Sequence, residues 1–108
     1  MENYEKYAKI LKALSDGNRL KIVDILSCGE RCACDILDHF EFTQPTLSHH
    51  MKVLADVDLV IIRKEGIWNH YSLNMDKYKE IKNFLFRIFN ETDDCICKIL
   101  DAEICKCR

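Results

Sequence analysis

One stretch of this chain departs from helical spacing, and that departure most narrows what it can fold into. Leu59 to Lys64 and Ile67 to Leu73 are dense in β-branched and aromatic residues, with Glu65-Gly66 between them, which predicts a β-hairpin. The segments before it follow the helical period. Tyr4, Tyr7, Ala8, Leu11 and Leu14, widened by Ile10, give a first amphipathic helix. Ser15-Asp16-Gly17-Asn18 breaks it, and a second helix turns Leu20, Val23 and Leu26 inward until Gly29. Cys32 to Phe40 reads as a short third helix, with Ala33, Ile36, Leu37 and Phe40 on one face. Thr43 then looks like an N-cap, with Pro45 in the first turn of a fourth helix that runs to about Asp56. After the hairpin, a last helix extends from near Asp76 to about Phe89.

Four helices, a hairpin and a closing helix is the order of a winged helix-turn-helix, a mainly α fold with a β-hairpin. At 108 residues the chain has room for one core, placed here at residues 1–90, with 91–108 as a cysteine-rich tail. Composition removes several alternatives. The longest wholly apolar stretch, Leu59 to Ile62, is far too short to span a bilayer, so no membrane partner is expected. Met1 to Lys6 lacks the apolar core of a secretory signal, which predicts a cytoplasmic protein. Three glycines and one proline leave no Gly-rich nucleotide cradle. The net charge of −2 neither supports nor excludes nucleic acid, because binding depends on where the cations lie.

The fourth helix shows where they lie. Leu47, Met51, Leu54 and Val57 share one side, while Ser48, His49 and Lys52 fall opposite, with Gln44 at the edge. Gln44, Thr46, Ser48 and His49 offer short polar groups for base edges, and Lys52 a cation for phosphate, as in a helix entering a major groove N-terminus first. Arg63 and Lys64, near the hairpin tip, would reach a neighbouring phosphate. His50, on the helix flank, is expected to be packed and hydrogen-bonded rather than to touch DNA.

Three stretches carry a resemblance. Leu14-Ser15-Asp16-Gly17-Asn18-Arg19-Leu20-Lys21-Ile22, Cys32-Ala33-Cys34-Asp35-Ile36-Leu37 and Thr43-Gln44-Pro45-Thr46-Leu47-Ser48-His49-His50-Met51-Lys52-Val53-Leu54 are similar to the ArsR/SmtB family of metal-responsive repressors. The similarity runs from about Tyr4 to Phe89, departing at Gly17, where the family often has proline. It implies a homodimeric winged-helix repressor that sits on double-stranded operator DNA and leaves when an ion binds. The apolar arc of Tyr78, Ile81, Phe84, Leu85, Ile88 and Phe89 is itself wider than one small monomer can cover, and it predicts a two-fold interface with the first helix.

Seven cysteines in a chain with no secretory signal point to soft-ion or redox chemistry rather than a disulfide framework. Cys32-Ala33-Cys34-Asp35 resembles the Cys-x-Cys motif of the family's arsenic and cadmium sensors. Paired thiolates select thiophilic ions, so arsenite or antimonite is the expected inducer, with cadmium, lead or zinc as alternatives. On a regular helix the two sulfurs would lie about 200° apart, so gripping one ion would require unwinding the first turn. Some related arsenic sensors place a third cysteine where this chain has Leu37. The third sulfur is then Cys28, four residues before Cys32, or one from the tail. Cys95, Cys97, Cys105 and Cys107 would alternatively form a site of their own, suited to tetrahedral zinc or cadmium or to a second arsenic.

A thiol redox switch on the same fold is a further reading. A cysteine-dependent enzyme or a metal-storage protein is the reading of a different class. No phosphate-binding loop or nearby histidine accompanies any cysteine, so an enzyme is not expected, and storage would leave the reading helix unexplained.

Overall fold

A computed structural model describes residues 4–90; the tail expected at 91–108, with Cys95, Cys97, Cys105 and Cys107, lies outside the described residues. The elements run α1 (Tyr4–Leu14), α2 (Gly17–Leu26), β1 (Arg31–Cys32), α3 (Ala33–Leu37), α4 (Gln44–Asp56), β2 (Val60–Glu65), β3 (Trp68–Leu73) and α5 (Met75–Phe89). The chain divides into two units after Tyr78, within α5. Among the described residues, no helix is long and apolar enough to cross a membrane.

The first unit is built on the apolar faces of α2, α3 and α4 and on the sheet. Ile22, Ile36, Leu47, Met51, Leu54 and Leu59 are fully buried, with Leu26, Ala33 and Tyr71 nearly so. Each large apolar side chain so buried contributes about 1.5–3 kcal/mol. Asp16 is the N-cap of α2: its backbone is extended and its carboxylate accepts from the backbone N–H groups of Asn18 at 2.9 Å and Arg19 at 3.1 Å. Those bonds, the one to Arg19 foremost, hold its carboxyl below the usual carboxylate range.

At the other end of α4, Asp58 takes a left-handed φ of 63°. Its N–H bonds to Ala55 O at 2.9 Å, and that of Leu59 to Leu54 O at 3.0 Å. This is a Schellman termination with aspartate in the place usually held by glycine, and it turns the chain directly from α4 into the wing.

The sheet has three antiparallel strands in the order β1-β3-β2. The expected hairpin is present, shifted by one residue: Glu65 pairs with Trp68, and Gly66-Ile67 forms the loop. A φ of 64° at Gly66, the first loop position, suits a type II′ turn and explains why the glycine lies there.

Three helical expectations need correction. The third helix does not begin at Cys32 or reach Phe40. Cys32 is extended (φ −72°, ψ 148°) and pairs with His70 as part of β1, a strand not anticipated from the sequence. Phe40 instead stacks on Phe42 beyond the helix, ring centroids 4.5 Å apart. In α2, Leu20 faces solvent at 54% exposure, and Ile22 fills the core beside Leu26. In α1, the buried residues are Ile10 and Ala13, while Tyr4 and Ala8 of the expected stripe are exposed.

Candidate nucleic-acid interface and dithiol site

Helix α4 separates its faces cleanly. Leu47, His50, Met51 and Leu54 are buried, and Gln44, Pro45, Thr46, Ser48, His49 and Lys52 are all exposed. Thr43 is extended at the N-cap without a side-chain capping bond, and Pro45 follows in the first turn. The first-turn N–H groups therefore point outward without a capping oxygen, the arrangement that receives a phosphate. Lys52 holds only an exposed i,i+4 contact with Asp56 at 3.5 Å, an interaction weak enough to yield to a phosphate.

His50 anchors this helix from behind. It is 7% exposed, and its Nδ1 lies 3.1 Å from Nη1 of Arg19, which also donates from Nε to Ala13 O at 2.5 Å. A guanidinium only donates, so Nδ1 accepts and the imidazole is neutral. Burial pushes its pKa below the ordinary 6.5. The packed, hydrogen-bonded histidine expected from the sequence is what the structure holds.

On the wing, Lys64 is exposed one residue before the end of β2. Arg63 is placed differently from a free cation at a hairpin tip. Its Nη2 and Nε donate to the two carboxylate oxygens of Glu30 at 2.7 and 3.2 Å, and its Nη1 donates to Glu65 at 2.6 Å. Hydrogen bonds from the guanidinium lower both carboxyl pKa values and raise that of Arg63. Two carboxylates thus meet its charge. No local pattern in the sequence signals this cluster, because Glu30 and Arg63 lie 33 positions apart.

The dithiol straddles the boundary between β1 and α3. Cys32 is the last residue of the strand and Cys34 the second residue of the helix, and the Cys34 thiol donates to Cys32 Sγ at 2.9 Å. That hydrogen bond raises the Cys34 pKa, with burial adding to it. Two thiolates on one ion at bond lengths of about 2.3 Å would sit roughly 3.5–3.8 Å apart, so the pair needs only a small opening to chelate. The unwinding expected from helical spacing is unnecessary, because the strand geometry of Cys32 already turns its sulfur toward Cys34. Cys28 is exposed just beyond α2. Among the described residues, no three His, Cys, Asp or Glu side chains converge to hold an ion, so Cys28 is not assembled with the pair.

Known proteins resemble the chain closely. A family model for bacterial regulatory proteins of the arsR family matches residues 16–61. The arsenical resistance operon repressor of Staphylococcus aureus is 48% identical over 103 residues, spanning 95% of this chain and 99% of its own. The cadmium resistance transcriptional regulatory protein CadC homolog of Staphylococcus aureus is 40% identical over 81 residues, 74% of this chain and 67% of its own. In three dimensions, the chain is similar to the homodimeric winged helix-turn-helix DNA-binding domain of a possible ArsR-family regulator from Mycobacterium bovis. The TM-score is 0.65 at 28% identity, covering 77% of this chain and 78% of that one.

Proposed function

The chain belongs to the ArsR family of bacterial transcriptional regulators, DNA-binding proteins rather than enzymes, and we propose that it is an operator-bound repressor released by trivalent arsenic or antimony at Cys32 and Cys34. The observation that carries this reading is the 2.9 Å approach of the two sulfurs at the start of α3, the first helix of the DNA-reading pair. Arsenite fits the chemistry: each thiol gives its proton to an arsenic-bound hydroxyl, water leaves, and an arsenic–sulfur bond forms with arsenic still trivalent. The third sulfur comes from Cys28, four residues before Cys32 in the sequence; the tail cysteines are the alternative source.

On DNA, Gln44, Thr46, Ser48 and His49 face base edges, while Lys52, Lys64 and the α4 N-terminus meet phosphates. Arg63 is left out of that set because Glu30 and Glu65 meet its charge and take three of its five N–H donors. A two-fold dimer through α1 and α5 would set two reading helices about 34 Å apart. It is supported by the exposed Tyr4, Phe86 and Phe89 on those helices and by the homodimeric relative.

A cadmium-responsive repressor is the second reading, favoured by the similarity to the cadmium regulator. A gel shift on the operator, repeated with arsenite, antimonite, cadmium and zinc under anaerobic conditions, tests both. Release by arsenite or antimonite at the lowest concentration supports the first reading, and preferential release by cadmium replaces it with the second.

A further inference from the structure

The dithiol belongs to the wing as much as to the helix pair. In the β1-β3-β2 sheet, Cys32 pairs with His70 and His70 pairs with Arg63, so the three occupy one row across the strands. Paired residues of an antiparallel ladder share a face, and residues two apart along a strand return to it. Glu30 precedes Cys32 by two and Glu65 follows Arg63 by two. The register thus brings Cys32, His70, Arg63 and Glu65 to a single face, and Glu30, one residue before β1, is held to it by Arg63. Arg63 reaches from β2 past β3 to grip Glu30 with two bonds while holding Glu65 with a third.

From this geometry we infer that Arg63 is a positioning residue that couples the dithiol to the wing by clamping Glu30, the residue that enters β1. The inference rests on Cys32 and Cys34 being the inducer site. Strand β1 has only two residues, so its ladder alone is a weak attachment, and the clamp supplies the rest. An ion that parts the two sulfurs from 2.9 Å to chelating distance and draws in a third donor must shift β1. Glu30 moves with it, and Arg63 carries the displacement into β2, beside Lys64. The wing then leaves its phosphate while α4 can keep its own fold.

The test compares operator affinity with and without arsenite, by fluorescence anisotropy, in the wild-type chain and in Glu30→Gln and Arg63→Gln. Thermal melts and arsenite stoichiometry are measured on each protein. Wild type should show an affinity ratio of roughly 5- to 150-fold, the ordinary range of allosteric coupling. Both variants should bind arsenite with wild-type stoichiometry, while their ratio falls towards one. Glu30→Asp, which keeps the charge but shortens the reach, should give an intermediate ratio, and it serves if Glu30→Gln does not fold.

Variants released as fully as wild type would overturn the inference. So would an Arg63→Gln protein with an intact ratio whose salt dependence of operator binding falls by about 0.9 in log–log slope, the mark of one lost phosphate contact. A wild-type chain that arsenite does not release would instead defeat the inducer reading itself, and this inference with it.

Discussion

Arg19 joins the end of α1 to the back of the reading helix: its guanidinium donates to Ala13 O and, at 3.1 Å, to Nδ1 of His50. This bond fixes the neutral form of a buried imidazole on the helix proposed to enter DNA. Because the folded-state pKa lies below 6.5, the native protein binds fewer protons there than the unfolded chain once the pH drops below that value. The contribution of His50 is therefore complete above about pH 6.5 and is lost as the pH falls towards the folded pKa. Melting temperatures between pH 8 and 5.5 should fall more steeply for wild type than for His50→Asn, whose amide oxygen can accept from Arg19 without titrating. Equal slopes would place the acid sensitivity in other groups.

The Schellman turn at Asp58 makes a second prediction. A side chain in the left-handed region costs about 1–2 kcal/mol, a penalty aspartate partly escapes through local hydrogen bonding. Asp58→Ala should lower the melting temperature, and Asp58→Gly should leave it unchanged or raise it. A loss of 1 kcal/mol corresponds to about 4–8 °C in a domain of this size. An alanine variant as stable as wild type would show that the turn is not strained.

On DNA, Gln44→Ala and Ser48→Ala should lose discrimination between operator and altered sequences, at about 1–3 kcal/mol for each bidentate base contact. Lys52→Ala should weaken all sequences alike and shallow the salt dependence. Competition binding at two salt concentrations separates the two behaviours. Unchanged affinity and slope in Lys52→Ala would mean that another face of α4 meets the duplex.

For assembly, Phe86 and Phe89 are 67% and 78% exposed on α5, an arrangement a lone chain has little reason to keep. Phe86→Glu/Phe89→Glu should sediment as a monomer at micromolar concentration, where wild type should sediment as a dimer. It should also bind a two-half-site operator far more weakly. A dimeric double variant would move the interface elsewhere.

What the sequence revealed was local. The polar face of α4 and the hairpin could be read because each depends on neighbours within a few residues, through the helical period and through a glycine at a turn. The edge strand β1 could not, because a two-residue strand has no period and exists only through its pairing with Tyr71 and His70. For that reason Cys32 looked helical, and its sulfur seemed to point away from Cys34. The same non-local pairing hid the Arg63–Glu30 clamp, so Arg63 resembled a free wing cation. Leu20 was misjudged for a simpler reason: the register of α2 depends on where Asp16 caps it, and Ile22 and Leu26 form the face that this start turns inward.

The repressor reading stands on the Cys32–Cys34 dithiol as the inducer site. Its most direct measurement is operator release, followed by anisotropy as arsenite is titrated into the preformed complex under anaerobic conditions, for wild type, Cys32→Ser and Cys34→Ser. Serine keeps the size of cysteine and removes the soft donor. All three proteins should bind the operator with similar affinity, and only wild type should let it go. Serine variants that release DNA at the same arsenite concentration as wild type would place the sensing sulfurs elsewhere in the chain.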